Sequence, residues 1–297
     1  MDTKCYLCPR RCGADRSAGE KGFCRAGLSV KVARAAKHHW EEPCISGTRG
    51  SGAVFFSHCN LRCVFCQNYD ISHQGFGKEI GAKELACIFL RLQADGAHNI
   101  NLVSPTQYIT QVKCALIAAK ENGLTIPVVY NSNAYEEPDA LASLTDLVDV
   151  YLPDLKYYHD EVAIRYSSAP HYFRHATSAI LEMARQVGTP ILDSDGLIRK
   201  GLIVRHLVLP GMVEESKRGL DWIKANLPSG VYISLMSQYV PMYRASEHPE
   251  INRKLSKAEY DEVVDYALAI GLDNGYIQEE SASDESFIPA FDLTGVE

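Results

Sequence analysis

Ten cysteines stand in this chain of 297 residues, and none occurs after Cys114. Three fall in His58-Cys59-Asn60-Leu61-Arg62-Cys63-Val64-Phe65-Cys66-Gln67-Asn68, at the spacing C-x-x-x-C-x-x-C. Three thiolates on one loop can ligate three irons of a cubane and leave the fourth iron open, much as a catalytic zinc site keeps a vacant position. A structural zinc site wants four ligands, usually from paired C-x-x-C knuckles, and this loop offers three. Four more thiols, Cys5, Cys8, Cys12 and Cys24, lie within twenty residues of one another. Four are enough to close a tetrahedral zinc site or to saturate a second iron–sulfur cluster. Their uneven spacing fits neither common template, so both metals stay open. Either would cross-link a segment too polar to fold alone, and Gly13, Gly19 and Gly22 give the chain freedom to wrap it. Cys44, Cys87 and Cys114 stand apart.

The bulk composition narrows the setting for this chemistry. Apolar residues make up 46% and charged residues 23%, values of an ordinary globular protein. A chain of this length buries roughly 75% of its extended surface and needs no disulfides to fold. The formal net charge of −7 argues against general affinity for nucleic acid, which needs a basic footprint. No apolar run approaches the ~20 residues of a membrane span. Met1-Asp2-Thr3-Lys4-Cys5 has no apolar segment of the signal-peptide kind, so a cytoplasmic location is expected. Thiols stay reduced there and serve as metal ligands more often than as disulfides.

The elements that must position these residues follow from hydrophobic periodicity. Residues 1–50 are Cys-, Gly- and Arg-rich and read as a loop-dominated, metal-bound extension; residues 51–297 read as the main domain. Strand-length apolar runs occur at Ala53–Ser57, Asn99–Val103, Ile126–Tyr130, Val148–Leu152, Leu202–Leu209 and Val231–Leu235. Helical patterns lie between them at about 82–95, 107–122, 136–145, 159–187 with a break at Pro170, and 213–226. In the first of these, Leu85, Ile88, Phe89 and Leu92 make one buried stripe. Six successive βα units predict an α/β fold, a partial or complete barrel rather than an open doubly wound sheet. The tail adds a helix near 256–270, a short strand near Tyr276–Gln278 and an aromatic, acidic end.

The three-cysteine loop, placed directly after the first strand and carrying Phe65 before its third cysteine, resembles the signature of the radical S-adenosylmethionine (SAM) superfamily. That resemblance implies a partial (β/α)6 barrel with a 4Fe–4S cluster on Cys59, Cys63 and Cys66. It implies SAM chelating the open iron and one-electron cleavage to a 5′-deoxyadenosyl radical, an oxidoreductase chemistry fed by a donor such as flavodoxin or ferredoxin. Phe65 would pack near the adenine. Such folds place their sites at C-terminal strand ends. Ser104 and Thr106 follow the second strand, where the family's Gly-Gly-Glu segment binds the SAM amino group; here the glycines and the Glu are replaced by Ser104-Pro105-Thr106. Asn131, Ser132 and Asn133 follow the third strand, Asp154 and Lys156 the fourth, and Arg205 lies within the fifth. These resemble the ribose and carboxylate contacts of glycyl-radical-enzyme activases, and a cation suits a carboxylate in a dry site. Gln238 and Tyr239, after the sixth strand, are candidates for the adenine or substrate side. His206 faces away from Arg205 if pairing is regular, and His38-His39-Trp40 reads as surface or packing.

The resemblance covers essentially the whole chain. It extends to Glu42-Pro43, Ile45-Ser46-Gly47, Gly50-Ser51-Gly52 and the ending Phe287-Ile288-Pro289-Ala290-Phe291-Asp292, which look like the group of iron–sulfur proteins named pyruvate formate-lyase activating enzyme-like. It implies hydrogen abstraction from a protein or peptide. A small metabolite or RNA as substrate, or a non-catalytic scaffold with two zinc sites, are the competing readings. The missing fourth ligand counts against the scaffold and the acidic balance against RNA.

Overall fold

The computed structural model describes residues 4–278 and 289–296. The strands are β1 (Val30–His38), β2 (Ser51–Phe56), β3 (Lys78–Ile80), β4 (Ile100–Val103), β5 (Val128–Ser132), β6 (Val150–Pro153), β7 (Ile191–Leu192), β8 (Ile198–Leu207), β9 (Tyr232–Met236) and β10 (Gly275–Ile277). The helices are α1 (Pro43–Ser46), α2 (Tyr69–Ser72), α3 (Ala82–Ala94), α4 (Ile109–Glu121), α5 (Pro138–Ala142), α6 (Asp160–Ser167), α7 (Tyr172–Val187), α8 (Val213–Asn226) and α9 (Lys257–Ala269). Strands β2, β4, β5, β6, β8, β9 and β10 pair in parallel, each with the next. Parallel neighbours need crossovers, and helices supply most of them, so the sheet is covered outside and curls into a partial barrel. β1 joins antiparallel to β2, β3 to β1 and β7 to β8. The sheet therefore ends in β1 and β3 on one side and in β10 on the other.

Every residue of β2, β4, β5 and β6 is buried, as expected of strands covered on both faces. The stripe on α3 is buried as Leu85, Ile88, Phe89 and Leu92, joined by Ala86. The break foreseen at Pro170 separates α6 from α7, with Ser168 and His171 both at positive φ. Among the described residues no helix is long and apolar enough to cross a membrane.

The loop-dominated reading of residues 1–50 is corrected at β1, a nine-residue strand. Its apolar positions are Val30, Val32, Ala33, Ala35 and Ala36, and alanine carries so little hydrophobic signal that the strand is hidden among lysines and arginines. After β1 the chain turns under the barrel. On α1, Cys44 and Ile45 pack with Val129, Val150, Leu152, Ile198 and Ile203, filling the lower lumen. Asn99 Nδ2 donates to the Ile45 carbonyl at 2.8 Å and pins that plug. Gly47 must be glycine: at φ +48, a Cβ there would come within 2.6 Å of Leu197.

The C-terminal tail returns to β1. Leu293 N–H donates to Ala33 O at 3.0 Å, and Ala35 N–H donates to Thr294 O at 2.9 Å. Phe291 meets Phe55 edge-on at 5.6 Å, and Asp292 pairs with Arg34 at 2.8 Å. Phe287 and Ile288, also singled out in the sequence, lie outside the described residues.

Candidate functional site

The loop leaving β2 is held from several sides before any metal is considered. Arg62 N–H donates to Ser167 O at 3.0 Å, Val64 N–H to Tyr166 O at 2.8 Å, and Arg244 N–H to Val64 O at 2.8 Å. The Arg62 guanidinium donates to Cys59 O at 2.9 Å. This fixes the three thiols on the wall of one cavity of about 200 Å³. Cys59 Sγ receives Leu61 N–H at 3.4 Å and Asn133 Nδ2 at 3.4 Å. Ser167 Oγ donates to Cys63 Sγ at 2.9 Å, and the Ser72 hydroxyl lies 3.2 Å from Cys66 Sγ. Burial pushes all three thiols up, Cys66 to about 12. Without a metal, apolar burial keeps them protonated; a bound cluster would take them as thiolates, each with a donor already in place. The donor set thus fits an iron–sulfur cluster bound by three cysteines.

The same cavity is lined by Phe65, Ser104, Asn131, Ser132, Asn133, Asp154, Lys156, Arg205, Gln238 and Tyr239. Phe65 packs edge-on against Tyr239 at 5.5 Å. Arg205 is gripped by Asp154 at 2.8 Å, Asn131 at 2.8 Å and Glu41 at 3.2 Å, and Lys156 holds the other oxygen of Asp154 at 2.7 Å. Burial works against each of these charges, yet Asp154 stays below the usual carboxylate range because Arg205 and Lys156 face it. Burial likewise opposes the charges of Lys156 and Arg205, and the neighbouring carboxylates outweigh it, so both are held above their ordinary values. These are pre-ionised, oriented groups in a buried cavity, able to bind the charged and hydroxyl-bearing parts of a nucleoside–amino-acid ligand.

Thr106 is a correction. The chain enters a 3₁₀ turn at Thr106–Tyr108, which buries the Thr106 hydroxyl against Glu136 Oε1 at 2.7 Å, away from the cavity. Ser104, at φ 59, does face the cavity. His206 faces away from Arg205 as expected; its ring lies between Leu155 O at 2.7 Å and Ser216 Oγ at 2.8 Å.

A second cavity of about 370 Å³ adjoins the first and shares Gln67, Asn68, Asn131, Arg205, Met236 and Gln238 with it. Its own walls come from the two sides of the open sheet: His38 at the end of β1 and Trp40 just after it, and Tyr276, Ile277 and Gln278 at β10. Glu41, Glu42 and Pro43 also line it. His38, Trp40, Glu41 and Glu42 were not foreseen as site residues; the one available signal was two acids and a proline entering an otherwise apolar plug.

The four head cysteines lie near one another, Cys5 within electrostatic reach of Cys12 and Cys24, and Cys8 of Cys24. Cys5 N–H donates to Ala14 O at 3.0 Å and Gly13 N–H to Cys5 O at 3.0 Å. Cys12 packs on Gly22, where a Cβ would lie 2.2 Å from its sulfur, and Arg16 reaches Cys24 Sγ at 3.5 Å. Cys5, Cys8 and Cys24 are buried and Cys12 is exposed; all ten cysteines are free thiols. Among the described residues, no three His, Cys, Asp or Glu side chains converge on a single-ion site. The head docks behind the cluster loop: the Arg10 guanidinium lies 3.7 Å from the Phe23 ring and 5.1 Å from that of Tyr135, and its Nε donates to Asn60 O at 2.8 Å.

Comparison with known proteins bears on the fold and its family. An uncharacterised protein of Methanocaldococcus jannaschii is 33% identical over 279 residues, covering 91% of this chain and 75% of that protein. Streptococcus suis SuiB bound to precursor peptide SuiA has a similar fold (TM-score 0.53, 14% identity), matched over 74% of this chain and 46% of SuiB. A spore photoproduct lyase mutant does too (TM-score 0.51, 11% identity, 74% of each chain). The profile of the radical SAM superfamily matches residues 53–223, from β2 through most of α8. With the C-x-x-x-C-x-x-C loop at the end of the first barrel strand, this chain belongs to the radical SAM superfamily.

Proposed function

We propose that this chain binds a 4Fe–4S cluster through Cys59, Cys63 and Cys66 and uses it with SAM to abstract a hydrogen atom from a protein or peptide, in the manner of a glycyl-radical-enzyme activase. The observation that carries this reading is the convergence of three hydrogen-bonded thiols and the strand-end groups Asn131, Asp154, Lys156 and Arg205 on one cavity. Held by Cys59, Cys63 and Cys66, the cluster would supply one-electron reduction of SAM and so the radical chemistry that removes a hydrogen from the substrate. The chain's own residues do the rest. Lys156 and Arg205 offer donors to the SAM carboxylate, and Asp154 and Asn131 hold those cations in place. Asn133, Ser132 and Ser104 are within the same cavity to meet the ribose and the amino group, and Phe65 with Tyr239 gives the adenine an apolar wall. Positioning and exclusion of water are what such a protein adds to its cofactor.

A peptide substrate is supported by the opening between the two sides of the sheet and by the structural neighbour SuiB, which binds a precursor peptide. The cysteines at 5, 8, 12 and 24 hold zinc or a second iron–sulfur cluster, and the head sits close enough to the cluster loop to brace it, or to pass electrons from a flavodoxin- or ferredoxin-type donor. A reduced, cytoplasmic setting suits ten free thiols.

The test is anaerobic reconstitution with iron and sulfide, then dithionite and SAM, with 5′-deoxyadenosine as the product measured. Product that disappears in Cys63→Ala supports the reading; iron-free protein loaded only with zinc overturns it.

A further inference from the structure

We infer that the cavity between β1 and β10 is a subsite for a cationic alkylammonium group of the substrate, received by Glu42 with Glu41 beside it. This rests on the SAM site proposed above, which opens into it through Arg205, Asn131 and Gln238.

The floor of the cavity is the chain just before α1. Glu42 is only 8% exposed and lines the cavity, yet its Oε2 has no hydrogen-bond partner. Glu41 is provided for: Asn101 Nδ2 donates to one oxygen at 2.9 Å and Arg205 to the other at 3.2 Å. Asn101 in turn has its own buried Oδ1 without a donor. This corner of the protein is therefore short of donors and rich in acceptors. Buried acceptors left unmatched are costly, and native proteins avoid them unless something else supplies the donor.

The charges lean the same way. Around the joined cavities stand three acids, Glu41, Glu42 and Asp154, against two cations, Arg205 and Lys156; burial pushes Glu41 and Glu42 up, so ionising both needs more positive charge than these two residues supply. Arg205 is already divided among Asp154, Glu41 and Asn131, and Lys156 is held by Asp154. His38 adds no charge at neutral pH, since burial holds its pKa down. Glu42 makes no contact ion pair of its own: Arg205 acts on it only at longer range, and burial outweighs that attraction and pushes its carboxyl above the ordinary value, so its ionised form calls for a further cation. An anionic ligand would meet two carboxylates there, and an apolar one would leave Glu42 unmatched. An ammonium brings three donors and no acceptor. The walls suit it as well: Trp40, Phe55 and Tyr276 present aromatic rings along the same cavity, and ring faces attract cations.

A lysine side chain of a peptide and a free alkylamine carry the same chemistry, and calorimetry with the reconstituted, SAM-loaded protein separates them. The probes are acetyl-Gly-Lys-Gly-amide, the same peptide with norleucine or glutamate in place of lysine, and n-butylamine. The lysine peptide is expected to bind at least roughly tenfold more tightly than the norleucine and glutamate peptides, and Glu42→Gln to bring it down to the norleucine level. Tight binding of n-butylamine alone would assign the group to a small amine. Equal or tighter binding of norleucine or glutamate, binding unaffected by Glu42→Gln, or no binding of any probe, overturns the inference. The probe series on wild-type protein decides the matter even where the variant folds poorly. The same wild-type preparation is assayed for 5′-deoxyadenosine: its absence overturns the underlying reading, whereas its presence without probe binding overturns the subsite alone.

Discussion

The two cysteine-rich regions have similar compositions and opposite mechanics. The loop with Cys59, Cys63 and Cys66 is clamped by backbone hydrogen bonds to Tyr166, Ser167 and Arg244, and each sulfur has a neighbour able to donate to it. The head with Cys5, Cys8, Cys12 and Cys24 has a handful of internal backbone bonds, two ring contacts through Arg10, and one thiol in solvent. The first site is held in shape by the barrel before any metal binds. The second consists of polar chain that a metal would have to order. Ligand sites backed by a core survive loss of the metal, whereas metal-ordered segments gain their folding free energy from it.

The comparison can be broken experimentally. The largest effect expected is from Cys63→Ala, which should remove all detectable 5′-deoxyadenosine while leaving the thermal transition of the barrel near that of wild type; coincident loss of fold would mean that the loop is not independently prepared. Next, Cys24→Ala or strong chelation should expose the head to proteolysis within residues 4–29 and leave a resistant barrel fragment. A head that stays protected would show that packing, not metal, holds it.

Asp154→Asn tests how far the site is pre-ionised. It leaves Arg205 and Lys156 short of their shared counter-ion, and a stability loss of about 3 kcal/mol is expected in denaturant titration, together with weaker SAM binding. Glu136→Gln sharpens the boundary between head and barrel. Burial pushes Glu136 up to about 7, and hydrogen bonds from Thr106, Ser132 and Tyr130 offset this only in part. The folded chain therefore holds that proton more tightly than the unfolded one. The favourable contribution is complete below the ordinary value of 4.5 and is lost as pH rises through 7. The Gln variant should be the more stable at pH 8, by up to about 3 kcal/mol, with the gap closing toward pH 4. The smallest effect belongs to Arg10→Ala, which removes the contacts with Phe23 and Tyr135 and should cost about 1 kcal/mol of head docking, read as faster amide exchange in the head alone.

Much of this was legible in the residue pattern, and the exceptions have physical causes. The barrel strands announced themselves because burial on both faces leaves apolar runs, as in residues 53–56. The C-x-x-x-C-x-x-C loop needed only its spacing. Asp154, Lys156 and Arg205 stand out because each is polar at the end of, or within, an apolar strand, and they line one cavity. Strand β1 was hidden by alanine, whose burial is worth little and whose pattern is weak. Thr106 sat at the right strand end but in a turn that rotates it inward, and single-residue orientation is not written in periodicity. Glu41 and Glu42 carry one local mark, two acids and a proline ahead of an apolar stretch, too weak by itself to place them in the site. They reach the lumen only because the chain, after an unforeseen strand, passes under the barrel and up into it.

The path of the C-terminal tail has a consequence for association. An unpaired strand edge is a template on which another chain can add by main-chain pairing. On the outer edge of β1, β3 takes Val30 to Val32, and Leu293 and Thr294 take Ala33 and Ala35. Gly295 seals the approach, because at φ +72 any side chain there would drive its Cβ to within 1.9 Å of Ala35 O. The last few residues thus act as a selvedge, a finished border that keeps the weave from catching on its neighbours.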